Sequence, residues 1–258
     1  MILHIQLQYR ASEKLYDETA SLYTASSAPR PEDPSGNGSA PGREGGSHAG
    51  GTDTASERLL PETAPITVDF DALRAVNPDV IGWIWCEGTV INYPVLQAED
   101  DDYYLHRSFD GSYNAAGSIF AEAMNGRDFQ DANTILYGHH MRNGAMFAGL
   151  EDWQDPAFAA AHPVMWILTP RRDYKVYLIS GYTTSALSTV YTVFPSAGEA
   201  LDEYLAEALE NSDFSPAEVP EAEKYVVLST CSYVFDYARY VIHGAMLPAS
   251  SAGGVPTD

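Results

Sequence analysis

The sequence predicts a mainly β domain, a barrel or a sandwich with helices inserted, and two observations support this fold class. Short runs rich in Val, Ile, Tyr, Trp and Thr recur between residues 66 and 247, each bounded by Gly, Asp, Asn or Pro. Only one long stretch among them has clear helical periodicity, so strands and helices do not alternate as they would in a βαβ array.

The predicted elements follow one another along this region. Asp69 is the expected N-cap of a short helix that leads into the first of eight strands. The strands are IGWIWCEG (81–88), VINYPVLQ (90–97), GSIFAEA (117–123), NTILYGHH (133–140), PVMWILTP (163–170), DYKVYLISGYTT (173–184), KYVVLSTC (224–231) and ARYVIHGAM (238–246).

The clear helix is AGEALDEYLAEALE, residues 197–210, inserted before the strand at 224–231. Apolar residues recur there at i, i+3, i+4, i+7 and i+8, and acidic residues occupy the other faces. The predicted buried positions are Leu201, Tyr204, Leu205, Ala208 and Leu209.

Composition divides the chain into four segments. Residues 1–23 are predicted to be helical, with the helix beginning near Ser12. Residues 24–65 are mostly Gly, Pro, Ser and Ala, which cannot bury enough surface to fold, so we expect a flexible linker with no packed element. Residues 66–248 form the compact domain, and residues 249–258 are expected to be a disordered tail.

Charge excludes several kinds of partner. The chain has 36 Asp and Glu against 14 Lys and Arg, a net charge of −22. Such an acidic surface repels phosphate backbones and anionic head groups, so nucleic acid and direct membrane-surface binding are excluded. No run of 18 apolar residues occurs that could span a bilayer.

Two cysteines are too few for a disulfide scaffold, and both are expected to be free thiols, with Cys86 structural. Cys231 ends a strand, and the next strand begins a few residues later. An antiparallel hairpin would place Cys231 opposite Arg239, with Cβ atoms about 5 Å apart. Taken alone, Cys231 could be a buried core thiol, and Arg239 could form a salt bridge at the barrel edge.

His139 lies where an apolar strand leaves into a loop, a common position for chemistry. His140 should point to the opposite face, so the two cannot readily chelate one ion. A zinc site needs three or four ligands, and no spaced cluster of them occurs, so no metal is expected. We assign no role to the other histidines: His4, His48, His106, His162 and His243. Together, Cys231, His139 and Arg239 would make a nucleophilic set.

These residues carry a resemblance. YGHHM (137–141), NGAMF (143–147), LSTC (228–231) and Arg239 resemble the motifs of sortases, the cysteine transpeptidases of Gram-positive bacteria. Upstream, the family's strands are matched in order by VIGWIWCEGTVINYPVLQ (80–97), DDYYLHRSFDG (101–111) and GSIFAEAMN (117–125). The inserted helix and the N-terminal helical segment resemble class B.

The resemblance implies an eight-stranded β-barrel with N-terminal helices and an inserted helix before the nucleophile strand. It also implies roles for particular residues. The catalytic residues would be His139, Cys231 and Arg239, and the substrate-binding residues would be Leu105, Ser229 and Thr230. Asp101 and Asp102 depart from the pattern, because an uncharged residue is common there.

The family's activity is cleavage of an LPXTG-like or NPXTX-like sorting signal after Thr, through a Cys thioester. The product is then transferred to an amine of cell-wall peptidoglycan or of a pilin. The resemblance thus implies surface proteins or pilins as partners, no cofactor and no nucleic acid, and we expect a monomer. Two alternatives stay open: a cysteine endopeptidase with water as acceptor, and a non-catalytic surface-binding module.

Sortases act at the extracellular face of the cell membrane and carry an N-terminal anchor. This sequence opens with only nine mostly apolar residues, so we expect either that an anchor was removed or that the start site is misplaced.

Unperturbed Cys and His titrate near pH 8.5 and about 6.5, so a thiolate–imidazolium pair would form in about one molecule in a hundred at pH 7. We therefore predict that the reactive pair is a minority species.

Overall fold

The computed structural model describes residues 2–27, 61–216 and 218–249. Residues 28–60 of the predicted linker and the predicted tail beyond Ala249 lie outside the described residues. None of the helices in the described part of the chain has both the length and the apolar character needed to cross a bilayer.

Eight strands close into a barrel, which confirms the predicted mainly β fold. They are β3 (Val80–Trp85), β4 (Asn92–Leu96), β5 (Ile119–Ala121), β6 (Asn133–Tyr137), β7 (Val164–Leu168), β8 (Asp173–Ser185), β9 (Tyr225–Cys231) and β10 (Ala238–Pro248). The order around the barrel is β10-β8-β7-β3-β4-β5-β6-β9. Two neighbouring pairs, β4 with β5 and β6 with β9, are parallel, and the remaining neighbouring pairs of the barrel are antiparallel.

Helices lie around this barrel. They are α1 (Ile2–Tyr23), α2 (Phe70–Val76), α3 (Pro156–Ala161) and α4 (Glu199–Glu210), together with 3-10 helices at Tyr103–His106, Ala148–Gln154 and Thr189–Tyr191. The predicted cap is present, because the Asp69 side chain accepts a hydrogen bond from the backbone N–H of Ala72 at 2.9 Å.

The N-terminal segment corrects two expectations. α1 begins at Ile2, not near Ser12, and its Tyr16 donates a 2.5 Å hydrogen bond to the Gly117 carbonyl of the barrel. Beyond it, β1 (Thr24–Ser26) pairs with β2 (Ile66–Val68), so the expectation of no packed element in 24–65 is wrong at its first residues. Contacts with the rest of the fold stabilise these segments, and their local composition does not reveal such contacts.

α4 packs over the outer face of β8, β9 and β10. Leu201, Tyr204, Leu205 and Ala208 are buried there with Val227 and Val241. Leu209, also predicted to be buried, is 37% exposed because it lies at the edge of the apolar stripe. The alternate residues of β9, Val226 and Leu228, face the barrel interior. The outer face of β9 therefore continues from beneath α4 toward Cys231.

Candidate active site

A cavity of about 590 Å³ lies where β6 and β9 end and β10 begins. All six residues singled out from the sequence line it: Leu105, His139, Ser229, Thr230, Cys231 and Arg239. Residues from separate parts of the chain thus meet at one cavity.

The hairpin of β9 and β10 supplies two of these side chains. Arg239 pairs with Cys231 across the antiparallel ladder, as the hairpin prediction required. Residues 232–237 form the connection, and the backbone N–H of Ser232 donates to the Ala238 carbonyl at 3.0 Å. Directly opposite positions on a ladder share a face, so the sulphur and the guanidinium project to the same side.

The other flank of Cys231 is formed by the parallel pairing of β6 with β9. Tyr137 pairs with Ser229, and the Gly138 N–H continues the pairing by donating to the Ser229 carbonyl at 3.1 Å. His139 is two residues beyond Tyr137, and Cys231 is two residues beyond Ser229. Continuing this register by two residues places both side chains on the same side of neighbouring segments. His139 just beyond β6, Cys231 of β9 and Arg239 of β10 thus form one row along the cavity.

Close packing at Gly138 brings this row together. A Cβ atom on Gly138 would lie 2.5 Å from Ile119 Cδ1 and 2.7 Å from Phe147 Cδ2, distances that no real Cβ tolerates. Its carbonyl accepts a 2.9 Å hydrogen bond from Thr230 Oγ1. Thr230 thus lines the cavity while its hydroxyl ties β9 to the end of β6.

The imidazole of His139 is held from the opposite wall. Its Nε2 lies 2.7 Å from the Leu105 carbonyl oxygen, and its ring stacks on that of His106 with centroids 5.8 Å apart. Burial lowers the pKa of His139, the Leu105 carbonyl opposes this by favouring the charged ring, and the charge of His106 lowers the pKa further. The net effect is a pKa below the usual 6.5.

The two cysteines are in different environments. Cys86 is buried, and burial raises the pKa of its thiol to about 12, so it is an inert core residue. Cys231 is partly exposed at the cavity. Both are free thiols, as expected. Only Cys231 can therefore meet a substrate.

Sequence reasoning missed part of the cavity lining. The missed residues are Phe120, Tyr137, Gly138, Ala186, Leu187, Ser188 and Tyr191. Asp101 and Asp102, noted from the sequence only as departures from the family's pattern, also line the cavity. Tyr191, in the connection from β8 to α4, forms a 2.9 Å hydrogen bond with Ser229 Oγ. Burial raises the pKa of Tyr191, while the nearby Arg239 charge lowers it. No periodicity or motif around Tyr191 marks it, because long-range packing places it there.

One wall of the cavity is acidic. Asp101 accepts a 2.8 Å hydrogen bond from the Ala123 N–H, and burial, followed by the charge of Glu122, raises the pKa of Asp101 to about 6. Glu122 itself accepts a hydrogen bond from the Tyr137 hydroxyl at 2.8 Å. Among the residues described, no three His, Cys, Asp or Glu side chains gather closely enough to hold a metal ion.

A closed barrel with cysteine, histidine and arginine aligned at one cavity defines a class of protein, the sortase-type cysteine enzymes. Sortase B of Listeria monocytogenes is 36% identical to this chain over 179 residues, covering 68% of this chain and 72% of that protein. No protein-family model matches the chain.

Solved structures agree. Bacillus anthracis sortase B in complex with AAEK1 is similar with a TM-score of 0.71 at 27% identity, covering 94% of this chain and 99% of that one. A Staphylococcus aureus sortase B–substrate complex is similar with a TM-score of 0.65 at 28% identity, covering 70% and 85% of the two chains. The chain belongs to the sortase B family. It is a cysteine transpeptidase of the cell surface that acts on sorting signals.

Proposed function

We propose that this transpeptidase cleaves an LPXTG-like or NPXTX-like sorting signal after its Thr and transfers the protein to an amine of cell-wall peptidoglycan or of a pilin. The observation that supports it is the row of His139, Cys231 and Arg239 along one cavity. The S. aureus structure is of a sortase B with a substrate, and the same kind of ligand suits the cavity described here.

In the first half-reaction the Cys231 thiolate attacks the carbonyl carbon after the signal's Thr. Arg239, with backbone N–H groups, holds the oxyanion that forms. His139 gives its proton to the nitrogen of the leaving amine as the C–N bond breaks, and a thioester to Cys231 remains.

In the second half-reaction an acceptor amine attacks the thioester. It loses a proton to His139 as the C–S bond breaks, which regenerates the thiolate and the imidazolium. The atoms and protons balance over the cycle without any cofactor. Because burial lowers the pKa of His139, the imidazolium needed for the first half is scarce at neutral pH. This supports the expectation of a minority reactive pair and a slow enzyme.

The peptide would lie along Leu105, Ser229 and Thr230. Leu105 lines the cavity from the side opposite β9, and Ser229 faces the cavity with its hydroxyl bonded to Tyr191. The Thr230 hydroxyl is already engaged with Gly138, so Thr230 would contribute its methyl group or its backbone.

The catalytic domain would be residues 66–248, preceded by the N-terminal helical segment 1–23 and by the linker 24–65, whose first residues form β1, and followed by the tail 249–258. We propose that the domain acts as a monomer at the extracellular face of the cell membrane. Its partners would be surface proteins or pilins that bear the signal.

The test is mass spectrometry of the enzyme incubated with a small library of signal peptides. The wild type should gain the mass of the peptide up to Thr on Cys231, and added oligoglycine or lysine amines should convert this adduct into a ligated product. Cys231→Ala should form no adduct, whereas the matched variant Cys86→Ala should form it normally. Cleavage without ligation would instead indicate an endopeptidase, and absence of any adduct a non-catalytic binding module.

A further inference from the structure

Two adjacent residues of the 3-10 helix Tyr103–His106 hold the imidazole of His139. The carbonyl of Leu105 lies 2.7 Å from Nε2, and the ring of His106 stacks on the imidazole with an interplanar angle of 20° and a centroid distance of 5.8 Å. The ring of Tyr113 also neighbours His106, with centroids 6.5 Å apart. One contact fixes a ring atom and the other fixes the ring plane.

The carbonyl contact determines the tautomer. A carbonyl oxygen only accepts, so Nε2 carries a proton in the neutral ring as well as in the charged ring. Nδ1 makes no hydrogen bond among the described residues, so it is the ring nitrogen available for proton transfer. A ring free to flip or tilt would spend part of its time with the wrong nitrogen toward the substrate.

We propose that His106 is a positioning residue that, together with the Leu105 carbonyl, holds His139 as the Nε2–H tautomer with Nδ1 directed to the scissile bond. This inference rests on the proposed role of His139 as the proton donor. It adds a function for a histidine that the sequence left without one.

Other charged or titratable groups line the same cavity as this imidazole. From β6, β9 and β10 they are Tyr137, Cys231 and Arg239, and from the remaining walls of the cavity they are Asp101, Asp102 and Tyr191. The carboxylates favour the charged ring and Arg239 opposes it. His106 differs from all of these, because its ring stacks on the imidazole.

A positive charge on His106 repels a positive charge on His139, and this repulsion gives the direction of the expected change in the pH profile. When both rings are protonated, two positive charges lie about 6 Å apart, which in water corresponds to about half a pH unit. The reaction requires the Cys231–His139 pair to have lost one of its two protons. The acid limb of the rate profile therefore follows the pKa of His139. Removing the His106 charge should therefore move this limb to higher pH.

The experiment measures the rate of thioester formation between pH 4.5 and 9 in His106→Phe and His106→Ala. His106→Phe keeps a flat ring, so its plateau rate should stay within about twofold of the wild type while the acid limb rises by about half a pH unit. His106→Ala should show the same rise, and its plateau should fall about tenfold because the ring plane is no longer held. Tyr113→Ala, which touches His106 and not His139, is the control and should keep the wild-type acid limb.

A second readout does not depend on activity. Nitrogen chemical shifts of His139 in the ¹⁵N-labelled full chain should report the Nε2–H tautomer above pH 8, and the pKa of His139 should rise in both His106 variants. An unchanged His139 titration in both variants, or the Nδ1–H tautomer in the wild type, would overturn the proposal. If the wild type forms no thioester, the proposed function fails, while this titration still decides the role of His106.

Discussion

The two flanks of Cys231 are built in different ways. On one side, β10 follows β9 after a short connection, and Arg239 faces Cys231 because an antiparallel hairpin leaves few other registers. On the other side, β6 is parallel to β9, and the bond from Thr230 to Gly138 joins residues 92 positions apart. His139 is further held by Leu105, 34 positions away.

This difference teaches where the active site is vulnerable. The arginine flank depends on local chain geometry that survives most changes elsewhere. The histidine flank depends on packing among β5, β6, β9 and the Tyr103–His106 helix, each from a separate part of the chain. A disturbance of packing should therefore misplace the imidazole before it misplaces the guanidinium.

The largest expected effect is chemical and lies on the arginine flank. Arg239→Ala should lower the rate of thioester formation by about 10²–10³, the usual loss for one oxyanion donor, with little change in stability. Arg239→Lys keeps the charge without the planar fork, so its rate should lie between the two. Single-turnover peptide cleavage measures the rate of thioester formation in both variants and in the wild type. A loss below threefold in Arg239→Ala would remove Arg239 from the proposed chemistry.

On the histidine flank the expected effect is on packing. Gly138→Ala places a methyl group against Ile119 and Phe147, so urea unfolding should show a loss of about 1–3 kcal/mol together with slower thioester formation. Gly198→Ala is the matched control, because nothing lies within 4 Å of its added Cβ. Equal stability of the two variants would mean that the β6 end is not tightly packed.

Acid should destabilise the arginine flank, because it favours protonation of the buried His243 of β10. Its Nε2 lies 2.9 Å from the Tyr204 hydroxyl of α4, and burial lowers the pKa of His243 to about 3. The unfolded chain, with a pKa near 6.5, binds the proton first. The stability contribution of the neutral ring is therefore complete above pH about 6.5 and is lost as the pH falls toward 3.

Protonation of His243 should change the free energy of unfolding by at most about 1.4 kcal/mol per pH unit. Urea unfolding of the wild type and of His243→Gln between pH 7 and pH 4.5 measures it, and the variant should lose less stability on acidification. Parallel slopes would show that other groups cause the acid sensitivity.

The smallest expected effect concerns the wall that joins the two flanks. Tyr191→Phe removes the 2.9 Å bond to Ser229 Oγ and should cost about 0.5–1.5 kcal/mol of stability. Peptide affinity should fall modestly, because the Ser229 hydroxyl is no longer oriented. Comparison with Ser229→Ala in a double-mutant cycle isolates the bond, and additive effects would mean that it contributes nothing.

Much of the fold was predictable because its signals are local. All eight predicted strands are present, and the α4 stripe was predicted except at Leu209. α1 was predicted too short, and the pairing of Thr24–Ser26 was missed, because both depend on partners distant along the chain. The candidate site shows a similar division. His139, Cys231 and Arg239 were singled out from the residues themselves, and the other three lining residues came from the resemblance, whereas Tyr191 was not named and His106 was given no role.

The sequence by itself determined the acidic character, the strands, the inserted helix and the pairing of Cys231 with Arg239, because side-chain periodicity and hairpin register are short-range properties. Only the tertiary structure decided that β6 runs parallel beside β9, that a carbonyl and a second imidazole hold His139, and which residues form the cavity walls. Those contacts join segments that are distant along the chain, so forming them costs loop-closure entropy. Packing of the whole barrel offsets this cost.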